Sequence, residues 1–476
     1  FFVKDMGRDG RDGGEECELQ PIRDEATTMG GATTSRPHIQ PAAGHQFEPL
    51  IHSPCVCVLV LVVSTLILMV IMPLHVSPTY LHDLLHGGHT PSRLRFEGTE
   101  IRLPSGAPLM LRGFNLMFKL GSRGMEHVER QDRQLASLFP HATLVRLIMN
   151  HWDDDVTVGD SDCLDEFAPD FLNPACVQLF DEVLNWSTRE LPQAWSIVTA
   201  RSALAAGDGG AEASVFENST LRAQWVSMWA AISRRYSVYD RIGGYEVMSE
   251  PRTSVAASLV QRAQQEVCEA IWTHDPRAAC VVGAARFYNR FHLNASYLIT
   301  GGPVLYAANF FAPRSWVLGR SGNATYPGLF PCCEAFQKDW LAREATCGVV
   351  AGNASTSAEA CAAAPNVMVN ASWLEDQLRT VLAFRARFGV PCWIDQWGVL
   401  ESAAGGSESV EAYLHDVMEL FQRQSLHWTL WIWRRTSDWN CQSGHALMCQ
   451  RADGGYQVSE PLLYHLGEYI TSHVRS

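Results

Sequence analysis

Residues 243–252 read GGYEVMSEPR. Alternation of this kind is the signature of a β-strand, with Tyr245, Val247 and Ser249 on one face and Glu246, Met248 and Glu250 on the other. Pro251 has no backbone N–H to give a neighbouring strand, so the strand is expected to stop there. Glu250 then stands at its C-terminal tip. In a parallel βα barrel, that tip opens on the ligand pocket. A Glu-Pro pair alone is equally the end of an ordinary strand with a solvated glutamate, so the surrounding chain has to decide.

On both sides of this stretch, strand-like and helix-like segments alternate, as they do in a parallel βα fold. The expected strands are 110–116 (MLRGFNL), 143–149 (TLVRLIM), 195–200, 243–250, 279–283, 303–311, 390–397 and 427–433. Helical periodicity falls at 125–139, 172–191, 221–236, 255–275, 373–388 and 408–424, and Trp225, Met228, Trp229 and Ile232 form one apolar stripe. The count of about eight strand–helix units predicts an α/β fold, a (β/α)8 TIM barrel over 94–476. At its start, two short strands are expected in 95–112 around the turn Pro104-Ser105-Gly106. Within it, 312–369 is rich in Cys and Gly and reads as an irregular insertion.

The N-terminal part has a different composition. Residues 1–54 are polar, without apolar period, and read as a disordered tail. The uncharged run from Cys55 to Met72, CVCVLVLVVSTLILMVIM, extends through Pro73 and Leu74 to the length of a transmembrane helix. Residues 75–93 read as a stem. Its His82 and His86 have helical i,i+4 spacing, but no carboxylate motif accompanies them, so no metal site is expected. Sequons at Asn185, Asn218, Asn294, Asn323, Asn353 and Asn370 all follow the hydrophobic run, and so do eleven of the fourteen cysteines. Both patterns predict a single-pass type II membrane protein, a glycoprotein with disulfides, its C-terminal domain extracellular or lumenal. Candidate bridges are Cys163 with Cys176, Cys441 with Cys449 and Cys268 with Cys280, with further pairing among Cys332, Cys333, Cys347 and Cys361. Cys392, in an apolar strand, is expected to be a buried free thiol.

The formal charge of −14 argues against a nucleic-acid partner, since phosphates would be repelled. Hydrophobic residues at 47% suffice for a large core. The fifteen tryptophans suit stacking on sugar rings, though a large core also uses them.

Ser249-Glu250-Pro251, the Arg-Gly-x-Asn run of 110–116, Arg146 in LVRL and the Trp-Gly at 397–398 fall in the order and spacing of one family. With them the chain resembles the family 5 glycoside hydrolases, the cellulase-like enzymes, over roughly 94–470. The resemblance implies hydrolysis of O-glycosidic bonds in a β-linked polysaccharide, without a cofactor, by two carboxyl groups roughly 5 Å apart. Glu250 takes the place of the general acid/base. The nucleophile's position, in VPCWIDQWG at 390–398, is occupied by Gln396, an uncharged amide that cannot attack an anomeric carbon as a carboxylate does. Asp395 is one residue away and, by alternation, is expected to face the other side of the strand. Glu401 lies beyond the tip.

The resemblance also marks substrate-binding positions. Arg146 would support the nucleophile. Arg201 stands where the family has a histidine, Ser249 where it has an asparagine, and Asn309 and Phe311 where it has a His-x-Tyr. Trp397 accompanies Gln396, and Trp431, or in the alternate register Trp433, would be the sugar platform. Asp153, Asp154 and Asp155 offer either a base for an inverting route, a solvated loop or a cation site. The functions that follow are a membrane-anchored glycosidase with a compromised retaining mechanism or, alternatively, a catalytically degenerate glycan-binding protein of the cell surface. A metal-dependent barrel enzyme would need a clustered His ligand set, which the sequence lacks.

Overall fold

The structure, a computed structural model, describes residues 92–117, 133–149, 169–200, 215–251, 255–319, 324–332, 365–400, 403, 405–435, 447–450 and 456–471. The expected tail, transmembrane helix and most of the stem lie outside these residues. Among the described residues no helix is long and apolar enough to cross a membrane.

Eight parallel strands close into a barrel. They are β1 (Arg112–Met117), β2 (Leu144–Ile148), β3 (Trp195–Thr199), β4 (Ile242–Glu246), β5 (Ala279–Gly283), β6 (Val304–Phe310), β7 (Cys392–Trp397) and β8 (His427–Leu430). β8 pairs with β1, so the sheet has no free edge. The outer helices include α1 (Pro174–Glu190), α2 (Ser219–Tyr236), α3 (Ala257–His274), α4 (Ala371–Phe388), α5 (Gly406–Arg423) and α6 (Glu460–Thr471). Both faces of the strands are covered, which is why they read as near-continuous apolar runs.

Two cores result. Inside the barrel, alternate strand residues such as Leu144, Ile197, Val281, Leu305, Ala307 and Trp393 meet one another. Leu94 and Ile101 join this inner core. Outside, Val145, Val198, Val282, Ile394 and Trp428 meet the apolar stripes of the helices. Trp225, Met228, Trp229 and Ile232 of α2 are all buried, as their spacing predicts, and each contributes roughly 1.5–3 kcal/mol. Gly113 of β1 is required by close approach: a Cβ there would lie 1.7 Å from the carbonyl oxygen of Leu144.

Several expectations are corrected. The expected turn at Pro104–Gly106 is present, with Leu103 N–H donating to Ala107 O (2.8 Å) and Arg102 bridging Pro108 antiparallel, but a second hairpin precedes it, pairing Arg95–Glu97 with Glu100–Arg102 and turning at Gly98, whose φ is 61°. The segment 312–369 is not irregular throughout, because Gly328–Pro331 and Asn366–Val369 pair antiparallel. β4 ends at Glu246 rather than at Pro251. Beyond it the backbone still bonds its neighbours, with the amide of Val247 donating to Val281 O (3.2 Å) and that of Ser249 to Ala200 O (3.0 Å). The ladder gives way at Glu250, whose φ is 54°.

Cys268 and Cys280 form a disulfide between α3 and β5. Cys332 is also disulfide-bonded, and Cys392 is a buried free thiol. The remaining bridge candidates rest on residues outside the described set.

Candidate active site

The polar part of the barrel interior is organised around Arg146 of β2, which is fully buried. A buried guanidinium needs compensating charge and a partner for each N–H. Its Nε and Nη2 donate to both oxygens of Glu246, at 2.6 and 2.7 Å, the bidentate geometry that suits an arginine–carboxylate pair. Nη1 donates to Asn115 Oδ1 (2.7 Å), and Nη2 also donates to Ser249 Oγ (2.7 Å). Thr199 Oγ1 donates to Glu246 Oε2 (2.9 Å). Asp395 Oδ2 lies 3.5 Å from Nη2. Burial alone would lower the Arg146 pKa, but the charges of Glu246 and Asp395 outweigh it and raise it.

Asp395 does not face away from the barrel. Ala308 of β6 pairs with Ile394 and the next residue, Asn309, pairs with Gln396, so Asp395 is the extra residue of a β-bulge. The β8 side of the strand shifts register over the same residues. A bulge sets two residues against one and breaks the two-residue alternation: after inward Trp393 and outward Ile394, Asp395 faces in, and the bulge turns Gln396 to the same side. Gln396 Nε2 donates to Asp395 Oδ2 (3.3 Å). Burial pushes the Asp395 carboxyl well above the usual carboxylate range, and the charges of Glu246 and Glu250 act in the same direction against Arg146.

Glu250 is half-buried at the C-terminal mouth. Contacts from several elements hold its segment. Trp229 Nε1 of α2 donates to Val247 O (2.9 Å). The amide of Phe287 donates to Pro251 O (3.0 Å). Asn309 Nδ2 of β6 donates to Glu250 Oε1 and to Phe287 O.

Of the residues singled out from sequence, Glu250, Gln396, Arg146, Ser249 and Asn309 come together at this end of the barrel. Trp431 is half-buried just beyond β8, where its amide donates to Trp397 O (2.8 Å). Trp433, the alternate register, is a core residue packed against Phe114 and Phe139. Trp397 is not at the mouth: it is fully buried on the outer face of β7 against Phe421 and Trp428. Phe311 is buried in the same outer core. Arg201, Glu401 and Asp153–Asp155 lie outside the described residues.

Four interior residues had no role assigned from sequence: Glu246, Asn115, Thr199 and Tyr288. Glu246 shares a face with Glu250 in the alternation, and Asn115 lies within the quoted Arg-Gly-x-Asn run, so each left a signal. Tyr288 left none. It follows β5, is fully buried, and donates its hydroxyl to Met248 O.

Among the described residues no three His, Cys, Asp or Glu side chains cluster in a way that could hold a metal ion. The chemistry available among the described residues is that of carboxyl groups, an amide and a guanidinium at the C-terminal end of the barrel.

This is the fold of the cellulase-like glycoside hydrolases. A glycoside hydrolase structure superposes with a TM-score of 0.51 at 14% identity, covering 76% of this chain and 99% of that one. The native beta-glucanase SdGluc5_26A from Saccharophagus degradans gives 0.51 at 12% identity, covering 81% and 94%. Endoglucanase Cel5A from the hyperthermophilic Thermotoga maritima gives 0.50 at 13% identity, covering 75% and 96%. No protein-family model matches the chain, and no curated protein matches it.

Proposed function

We propose that this chain is a glycoside-hydrolase-like protein that takes a β-linked polysaccharide into its barrel mouth, with Glu250 as acid/base. The observation that carries the proposal is the placement of Glu250: it is half-buried at the mouth and clamped by Asn309, with Gln396 paired to that same Asn309 across the β6–β7 ladder. A protonated Glu250 would donate to the glycosidic oxygen as the bond breaks. Gln396 cannot then form a glycosyl ester. Asp395, fully buried, accepts a hydrogen bond from Gln396 Nε2. Turnover by the retaining route is therefore expected to be weak.

A second reading, a catalytically degenerate glycan-binding protein, is favoured by Gln396 itself. A mouth that only binds has no use for an attacking carboxylate. For location we propose a type II membrane anchor in residues 55–72, with the barrel in an oxidising compartment. The Cys268–Cys280 bridge supports this, since such bridges persist where thiols are not kept reduced.

Two assays on the purified protein test the site: binding to immobilised β-glucan, and release of reducing sugar. Release that disappears in Glu250→Gln while binding persists supports the hydrolase. Binding without release supports the degenerate reading. Absence of both removes the proposal.

A further inference from the structure

We propose that Asn370 carries an N-linked glycan whose first sugars lie over the exposed apolar pair Leu329 and Met368. The proposal rests on the oxidising compartment proposed above and adds the residue modified there and the surface it covers.

The ribbon of Gly328–Pro331 and Asn366–Val369 has two unlike faces. Phe330 and Val369 are fully buried in the outer core. Leu329 and Met368, direct cross-strand partners, are 59% and 51% exposed. They are two of the four large hydrophobic side chains left exposed among the described residues. Pro331 and Asn366 extend the same outward face. Neither 324–332 nor 365–371 contains a charged residue. Charge is what ordinarily guards an open two-stranded ribbon, so this face calls for another cover.

The residue that follows the ribbon can supply it. Asn370 comes directly after Val369 and has extended backbone, φ −154° and ψ −174°. By alternation its side chain shares the face of Met368, two residues back and about 7 Å away. Asn370-Ala371-Ser372 is a sequon, and Ser372 is exposed. Asn370 is also the N-cap of α4. Its Oδ1 accepts from the amide of Trp373 (3.0 Å), and among the described residues nothing accepts from its Nδ2. The helix uses the oxygen and leaves the nitrogen for a sugar. Asn185 gives the contrast: it is exposed, but it lies within α1, and the hydroxyl of its sequon, on Ser187, is buried.

The modification is a substitution at a sugar carbon. Nδ2 attacks C1 of an oligosaccharide presented as its polyisoprenyl diphosphate. The N–C1 bond forms, the C1–O bond breaks with its electron pair going to the departing diphosphate, and Nδ2 loses one proton to a base of the transferase. Nδ2 keeps one N–H and Oδ1 keeps its lone pairs, so the modified side chain still caps α4. The C–H face of a pyranose is apolar, and laying it on Leu329 and Met368 removes both from water.

The test uses the full chain made in a eukaryotic host. Enzymatic removal of N-glycans in isotope-labelled water, followed by peptide mapping, should mark Asn370. The thioether of Met368 then reports the cover, because peroxide converts it to the sulfoxide at a rate that follows access. Asn370→Asp keeps a capping oxygen and cannot carry the glycan. Ser372→Ala removes the sequon and leaves the cap untouched. Both should speed Met368 oxidation at least about threefold, while Asn218→Asp, at the N-cap of α2, leaves it unchanged. A bare Asn370 with other sequons occupied overturns the site and leaves the compartment standing. An occupied Asn370 with the same oxidation rate in the wild type and both variants overturns the cover. Occupancy at no sequon overturns the proposal and the compartment together.

Discussion

Gln396 Nε2 donates to Asp395 Oδ2 at 3.3 Å, a hydrogen bond between sequence neighbours that a regular strand would hold on opposite faces. The bulge between Ile394 and Gln396 permits it. Asp395 lies 3.5 Å from Arg146, whose main charge partner is Glu246. The buried guanidinium thus takes its compensating charge chiefly from Glu246, while burial pushes the Asp395 carboxyl above the usual carboxylate range.

Replacing the amide by the acid tests this arrangement. Gln396→Glu should raise hydrolysis of β-glucan by at least about a hundredfold, a small part of what removing a nucleophile costs elsewhere. The gain should be larger in Gln396→Glu with Asp395→Asn, because two adjacent inward carboxylates resist ionising together. Reducing-sugar release by the single and double variants measures both effects. A folded double variant no more active than the wild type would show that strand β7 does not place residue 396 against the sugar.

How far the sequence anticipates this site depends on the kind of order involved. The strands and helices were legible because burial on both faces and a 3.6-residue stripe are local patterns. β5 at Ala279–Gly283 coincides with its expected bounds, and the Cys268–Cys280 pair follows from proximity in the chain. The proline marked the end of the strand's neighbourhood, but β4 stops at Glu246 and it is the positive φ of Glu250 that ends the ladder. Asp395 was placed on the wrong face because a bulge is a two-against-one pairing between strands, and alternation within one strand cannot display it. Trp397 faces outward, as alternation from an inward Gln396 requires, and its place at the mouth was an implication of the resemblance alone. Tyr288 and Phe287 were invisible for another reason: a left-handed turn built from Arg, Phe and Tyr has none of the usual glycine or asparagine markers.

Asp395 should make stability depend on pH in a particular direction. Its folded pKa is raised by burial, and by Glu246 and Glu250. The native state therefore binds more protons than the unfolded chain above the ordinary carboxylate value, near 4, and stability falls as pH rises through the folded pKa. Asp395→Asn keeps the shape and cannot ionise. Its melting temperature relative to the wild type should thus become more favourable over the range of pH rising from about 4. A difference that stays flat over that range would mean that Asp395 titrates as an ordinary carboxyl.

His427, at the start of β8, gives the opposite slope. Its Nδ1 accepts from the backbone N–H of Leu111 (3.1 Å), a role open only to the neutral ring. Burial lowers its pKa from 6.5 to about 3, with Arg385 and Arg112 adding to the effect. Between those values the unfolded chain binds a proton that the native state refuses. The stability is therefore fully present above about pH 6.5 and lost progressively as pH falls towards 3. His427→Asn offers an amide oxygen to the same N–H without a titrating ring. Urea midpoints of the variant and the wild type, measured from pH 7 down to 4, should converge as the wild type loses stability faster. Parallel curves would show that His427 takes up its proton inside the folded barrel, and the β8–β1 closure would then owe nothing to a neutral imidazole.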